Sequence, residues 1–277
     1  MRLIDDGPPG RFPKQFRTFK TILESSDYTS NLNIWASGQF SKLNLEEIFR
    51  DYHDESKRTL VVDLRQETHL FLDSMPVSFY CPYNWSLRSE DKESCQVDLY
   101  EKKQILQRMP YIEISDKENT HSRIQNLENV NIRTEKELTA LMGLEYVWIP
   151  IPDHCRPDDA AVILFLEVFD NKTVEEFEYY IHCRAGKGRT TTILTMIDML
   201  MHPTHQFPEI LERQSKFGAN MFPNETNFDK PYKRKEAQER FDFLAGFHDF
   251  LQVRRTMKWT EFVQKTFRFS LLTSNDV

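Results

Sequence analysis

The apolar positions of this chain fall into short unbroken runs, separated by stretches in which they recur every three or four residues, and the two kinds of segment take turns. The runs "NIWASGQFS", "TLVVDLR", "EYVWIPI" and the "YYIHC" that ends at Cys183 read as strands, the first with a turn behind it. Helical spacing marks "LNLEEIFRDYH", "RTEKELTALMGL" up to Gly143, "AAVILFLEVF", the segment from about Thr190 to Met201, "FPEILERQSKF" and "KRKEAQERFDFLAGFHDFLQ". Strands alternating with helices predict an α/β fold with a mostly parallel central sheet flanked by helices, and ligands then bind at the carboxyl ends of the strands. One stretch, residues 66–131, breaks the rhythm. It is rich in aromatics ("VSFYCPYNWS"), holds one helical run ("VDLYEKKQILQRM") and a strand pattern ("YIEI"), and reads as an inserted sheet subdomain on the core.

Composition narrows the class. At 277 residues the chain is long enough for one large or two smaller domains. Its 39% apolar and 29% charged residues are those of a soluble protein, and no apolar run nears the roughly 18 residues of a membrane span. The opening "MRLIDDGPPGRFPKQF" has acids and prolines where a signal peptide has its apolar segment, so no cleavable export signal is expected, while other secretion routes stay open. A net charge of −7 argues against general nucleic-acid binding, so any anionic ligand must meet a local concentration of cations. The cysteines Cys81, Cys95, Cys155 and Cys183 form no CxxC pair and no metal-ligand spacing with histidine, which favours free thiols in a reducing compartment over the alternative of a structural disulfide.

That local concentration occurs in "YYIHCRAGKGRTTTIL", where an apolar run ends at Cys183 and Arg184, Lys187 and Arg189 follow around Gly186 and Gly188. Backbone N–H groups in a tight loop opening a helix converge on one point and favour an anion there. A nucleotide-binding loop is a poor fit, because no glycine lies five residues before Gly188. What fits is a cysteine, five residues and an arginine: the thiolate lies at the floor of the amide cradle and Arg189 grips two phosphate oxygens with its planar fork.

The string "HCRAGKGRT" resembles the loop of the cysteine-dependent phosphatases, HCxxGxxR followed by Ser or Thr. The resemblance implies that Cys183 attacks phosphorus, Arg189 stabilises the equatorial oxygens and Thr190 helps the thiolate leave. The loop residues Arg184, Ala185, Gly186, Lys187 and Gly188 would line the phosphate. His182 orders the loop, or is a satisfied core histidine. Asp153, thirty residues before Cys183 at the end of the preceding strand, is placed by one strand, loop and helix connection at the same sheet edge, which suits a general acid; taken alone it reads equally as a turn or helix-cap residue.

The match reaches further. "FPKQFRT", "ASGQFS", "VVDLRQETHLFLD", "YNW", the "DH" after the strand and "WTEFV" together resemble the bacterial phytases of protein tyrosine phosphatase type, roughly from Phe12 to Val263. That resemblance implies a phosphatase domain over residues 12–277, a small partial β-barrel inserted at 66–131, and hydrolysis of myo-inositol polyphosphates without cofactor or metal. It also implies a bacterial protein, resident in the cytoplasm or carried out by a non-classical route as a host-cell effector. Arg17 matches a family position near the substrate pocket, His154 follows Asp153 as in the family and would either contact a neighbouring phosphate or merely order the loop, and "KPYKRK" resembles the family's C-terminal lysine region, met by Lys230, Lys233 or Lys235; a solvated helix start is the alternative. Arg184 and Lys187 replace less basic residues of better-known members, and this surplus charge suits a ring bearing several phosphates. A phosphoinositide lipid phosphatase and a phosphotyrosine phosphatase stay open as readings. A pseudoenzyme that only binds anions is opposed by the presence of Cys183, Arg189 and Asp153 together.

Overall fold

A computed structural model describes residues 2–7, 10–18, 33–116, 121–172, 175–216 and 231–273. Among these the strands are β1 (Leu3–Asp5), β2 (Arg17–Thr18), β3 (Ile34–Ser37), β4 (Arg58–Arg65), β5 (His69–Leu72), β6 (Met75–Phe79), β7 (Tyr111–Ser115), β8 (Ser122–Asn126), β9 (Ile132–Arg133), β10 (Glu145–Ile151) and β11 (Phe177–His182). The helices are α1 (Lys42–Tyr52), α2 (Lys92–Arg108), α3 (Glu135–Leu141), α4 (Asp159–Asn171), α5 (Gly188–Met201), α6 (Phe207–Ser215), α7 (Pro231–Val253) and α8 (Trp259–Thr273). The mixed α/β class and the mostly parallel central sheet are as expected. In that sheet β10, β4, β11 and β3 run parallel in this order, and β2 lies antiparallel on the outer edge of β3.

Two compact units divide the chain. The first, Met1–His154 with Lys172–Thr190, holds both sheets. Strand β11 lies between β4 and β3 and is buried along its whole length, so the chain leaves the middle of the sheet at Cys183. One face of the sheet packs Trp35, Val61 and Tyr180 against Leu45 and Ile48 of α1 and Leu138 of α3. Both helices begin on capping boxes: Ser41 Oγ accepts from Asn44 N at 3.2 Å, and Thr134 Oγ1 accepts from Glu137 N at 3.2 Å while Glu137 reaches back to Thr134 N at 2.8 Å.

The second sheet runs β8-β7-β1-β6-β5-β9. It draws β5 to β8 from residues 66–131, but an interior strand, β1, comes from the start of the chain and β9 lies just past the segment. β1 pairs parallel with β7 and antiparallel with β6. Leu3, Leu70, Val77, Ile112 and Ile114 form its core with Leu106 of α2. The sheet is open, with β8 and β9 as its two edges. A further consequence of β1 is positional: it carries Asp6, the residue after it, towards the carboxyl ends of the central strands.

The second unit, Cys155–Asn171 with Thr191–Val277, is helical among its described residues. Trp259 anchors it: its ring lies 5.2 to 6.0 Å from those of Phe243, Phe247, Phe250 and Phe262, and Nε1 donates to Asp159 Oδ1 at 3.0 Å. No helix among the described residues is long and apolar enough to cross a membrane.

Candidate active site

The loop between β11 and α5 is shaped by backbone packing. Its Gly186 has φ +68°, and a Cβ there would lie 2.3 Å from Gly38 N and 2.5 Å from Ser37 C. The facing turn is bonded to the loop as well, Gln39 N donating to Arg184 O at 3.0 Å. Both neighbours of the missing side chain are backbone, so neither can move aside. Gly188, by contrast, is the first residue of α5. Gly186→Ala combines this clash with about 1–2 kcal/mol of left-handed strain and is expected to lower phosphate release by about 10²-fold or more. Wild-type activity in that variant would contradict this loop geometry.

Cys183 is buried at the start of the loop, with Arg189 and Arg17 near enough for their charges to act on it. Arg17 Nη1 donates to Gly186 O at 2.8 Å and to Gln15 O at 3.0 Å, which fixes it under the loop. Burial lowers its pKa to about 10, against the opposing effect of Cys183. Arg189 is buried and grips Glu67 with both terminal nitrogens, at 2.6 and 3.0 Å. Its Nη1 also donates to Ile151 O at 3.1 Å, and its Nη2 lies 3.1 Å from Asp153 Oδ1. Arg189 Nε and Thr190 Oγ1 are buried with no hydrogen-bond partner among the described residues. Asp153 therefore lies at the loop, as its position in the sequence predicts.

Four of the site's polar residues escaped sequence reasoning. Glu67 bonds not only Arg189 but Arg65, whose Nε donates to Glu67 Oε1 at 3.0 Å. Arg65 Nη2 reaches Asp6 Oδ2 at 3.1 Å. Asp6 Oδ1 accepts from Arg184 Nε at 2.9 Å, Arg184 Nη1 donates to Asn84 Oδ1 at 2.8 Å, and Asn84 Nδ2 donates to Asp153 Oδ2 at 2.7 Å. The side chains thus close a ring: Asp6, Arg65, Glu67, Arg189, Asp153, Asn84, Arg184. Isolated charges buried like this would cost several kcal/mol each; in the ring every ion has at least two polar partners.

The ring changes the reading of Arg184. Expected as a spare cation for phosphate, it has its guanidinium on Asp6 and Asn84 instead. Lys187 is exposed and makes no ion pair among the described residues, and Ala185 is exposed at the loop's crest. His154 follows Asp153 with φ +68°. Lys233 and Lys235 belong to the first turns of α7, in the second unit, and Lys230 lies outside the described residues.

Charge states follow from these partners. Burial penalises the Asp153 carboxylate, but Arg189 outweighs this and, with His154 and the Asn84 N–H, holds the carboxyl below its usual range; Glu67 pulls the other way. Glu67, also penalised by burial, is held far below the carboxylate range by Arg189 and Arg65.

Beneath the loop lies a second polar cluster. His182 Nε2 is 2.6 Å from Glu135 Oε1; His69 Nε2 lies 3.1 Å from Asp63 and 3.4 Å from Glu135. His69 Nδ1 faces the Glu67 carbonyl at 2.9 Å, so it must donate there. With acceptors at both nitrogens the ring is an imidazolium, and although burial opposes that charge, Asp63 raises its pKa to about 10. Asp63, Glu135 and His182 bring their ligand atoms within 4.8 Å of one another. The 2.6 Å contact is a hydrogen bond's length, shorter than two ligands of one ion keep at about 2.0–2.2 Å each from it.

A pH effect on stability follows. Because the folded-state pKa of His69 is raised, its contribution is fully present below about pH 6.5, the unfolded value, and is lost as pH rises towards about 10. Denaturant unfolding of the wild type should lose stability across that interval, and His69→Gln should flatten the loss. An unchanged slope in the variant would mean that His69 is neutral in the fold.

Comparison with known proteins places this geometry. A family model, PTPlike_phytase, described by inositol hexakisphosphate, matches residues 62–201. Effector protein hopD2 of Pseudomonas syringae pv. tomato is 26% identical over 215 residues, 74% of this chain and 46% of that protein. The PTP-like myo-inositol phosphatase from Mitsuokella multacida, solved in complex with myo-inositol-(1,3,4,5)-tetrakisphosphate, superposes with TM-score 0.82 at 25% identity, over 97% of this chain and 48% of its own. A PTP-like phytase from Bdellovibrio bacteriovorus superposes with TM-score 0.73 at 26% identity, over 95% of this chain and 94% of its own. The chain spans about half the length of the first two relatives and nearly all of the third.

Proposed function

The chain belongs to the family of protein-tyrosine-phosphatase-like phytases, and from that premise we propose that it removes phosphates from myo-inositol polyphosphates through a phosphocysteine on Cys183. The observation that carries this reading is Arg189: buried beside Cys183, hydrogen-bonded to Glu67 and paired with Asp153, it still holds an unpartnered Nε. So anchored, Arg189 keeps one N–H, at Nε, for a phosphoryl oxygen, and the two-oxygen grip expected of its fork requires phosphate to displace Asp153 from Nη2.

In the first step Cys183 Sγ forms a bond to phosphorus while the bond to the inositol oxygen breaks, and Asp153 gives the leaving alkoxide its proton. In the second, water attacks the phosphocysteine, Asp153 takes the water's proton, and Sγ leaves with inorganic phosphate as product. Thr190 Oγ1, buried and unpartnered, is a donor for the departing thiolate. The likeness to an effector protein supports a compatible reading of location, in which the chain acts outside the bacterium that makes it.

Phosphate release from inositol hexakisphosphate, from phosphoinositides in vesicles and from a phosphotyrosyl peptide tests the substrate class, and the inositol phosphate should be fastest. Lys187, exposed on the loop and without an ion pair among the described residues, is a cation placed to meet a second phosphate. Lys187→Met is expected to raise the KM for inositol hexakisphosphate, as added salt should, because exposed ion contacts are screened. The KM for an aryl monophosphate should change little. Equal effects on both, with the peptide hydrolysed fastest, would replace the phytase reading with a phosphoprotein one.

A further inference from the structure

The turn after β6 carries a strain that the fold alone does not call for. Tyr83 and Asn84 both have positive φ, 59° and 60°, and two successive left-handed non-glycine residues cost on the order of 1 kcal/mol each. What the distortion achieves is visible at its tip. Asn84 enters the site between Arg184 and Asp153, while the next residue, Trp85, donates from Nε1 to the Asp153 carbonyl at 2.7 Å.

The orientation of the Asn84 carboxamide is not free. Arg184 can only donate, so the amide end facing its Nη1, 2.8 Å away, must be the oxygen. The N–H end is thereby turned on Asp153 Oδ2, 2.7 Å away. Arg184 in turn is held by Asp6 through two nitrogens, at 2.9 and 2.8 Å. Strand β1 thus sets Arg184, Arg184 sets the amide, and the amide sets the carboxyl.

We propose that Asn84 is a positioning residue for the acid step, aiming the Asp153 carboxyl at the leaving oxygen through an amide that Arg184 locks end for end. The proposal rests on the reading of Asp153 as the general acid. It assigns Arg184 to orienting the acid, in place of gripping a phosphate. The groups facing Asp153 are Arg189 from α5, Glu67 beyond β4, His154 in its own loop, and Asn84 with Arg184 behind it. Of these, Asn84 is the neutral one whose donor can be exchanged for an acceptor of equal shape.

Asn84→Asp keeps the shape, tolerates positive φ as asparagine does, and still accepts from Arg184, but turns a carboxylate on Asp153. Two carboxylates sharing a site raise the pKa of one strongly. The alkaline limb of kcat on inositol hexakisphosphate, where the protonated acid of the complex is lost, should move up by about one pH unit or more. Asn84→Ala should lower kcat on that substrate by about 10- to 100-fold, with a far smaller loss on an aryl phosphate, whose leaving group needs no proton. Thermal melting of both variants shows whether the fold is kept, and Asp153→Asn run alongside separates the two layers of the argument. If Asp153→Asn is selective between the substrates while the Asn84 variants are not and the limb stays put, this proposal is overturned and the acid assignment stands. If Asp153→Asn costs both substrates equally, the acid assignment falls and this proposal falls with it.

Discussion

Cys183→Ser is expected to bind inositol hexakisphosphate and to turn it over at least about 10⁴-fold more slowly than the wild type. An alcohol is a far weaker acid than a thiol and so a far poorer nucleophile, and a loss of that size corresponds to about 5.5 kcal/mol of barrier. Binding should survive, because the loop amides, Arg189 and Arg17 do not depend on the sulfur: Arg17 is fixed by the Gly186 and Gln15 carbonyls and Arg189 by Glu67. Rapid acid quench of the wild type with labelled substrate should trap phosphate on protein, and the variant should trap none. Turnover within about tenfold of wild type would remove the covalent route, since nucleophile loss should cost several kcal/mol.

Asp153→Asn is expected to cost about 10² to 10⁴ in turnover of inositol phosphates, the range for a general acid, and much less on an aryl phosphate. The charge state found here adds a pH signature. With Arg189 3.1 Å away, Asp153 is ionised in the ligand-free chain near neutrality. An arriving phosphate competes for that guanidinium and brings negative charge of its own, and both raise the proton affinity of Asp153. Catalysis by the protonated acid must then fall as pH rises through its pKa in the complex. The wild type should favour acidic pH on inositol phosphates, and Asp153→Asn should erase that alkaline decline. A decline that persisted in the variant would belong to another group.

How far the site was legible depends on how local each signal is. The loop from Cys183 to Thr190 was readable because its residues are contiguous and their spacing is itself the chemistry. Asp153 was readable from one connection's length. Glu67 had a signal that went unused: "TLVVDLR" reads as a buried strand yet carries Asp63 and Arg65, and charges in a buried strand demand partners close by. Those partners are Glu67 for Arg65 and His69 for Asp63, in the residues that follow. Asp6 and Asn84 had no such signal, since their partner Arg184 lies 178 and 100 positions away. For the same reason Arg184 looked spare. The second sheet was obscured by β1, a strand of 3 residues whose partners at β7 are remote in sequence.

The ring of side chains also bears on the order in which a growing chain can become active. Asp6, Arg65, Glu67 and Asn84 leave the ribosome early, before the central sheet has its middle strand β11, which brings Arg184 and Arg189 after it. Until then Glu67 has one of its two cations, Asp6 lacks the other half of its pairing, and Asn84 has nothing to lock its amide. Contacts that span most of a chain form late, because loop closure must precede any gain from them, and a domain made at about 5–20 residues per second waits many seconds for them. The nascent chain can therefore build its second sheet first, while Asn84 meets Arg184 and Glu67 meets Arg189 in the same closing event. Phosphatase activity should arise in one step, with no partly competent precursor.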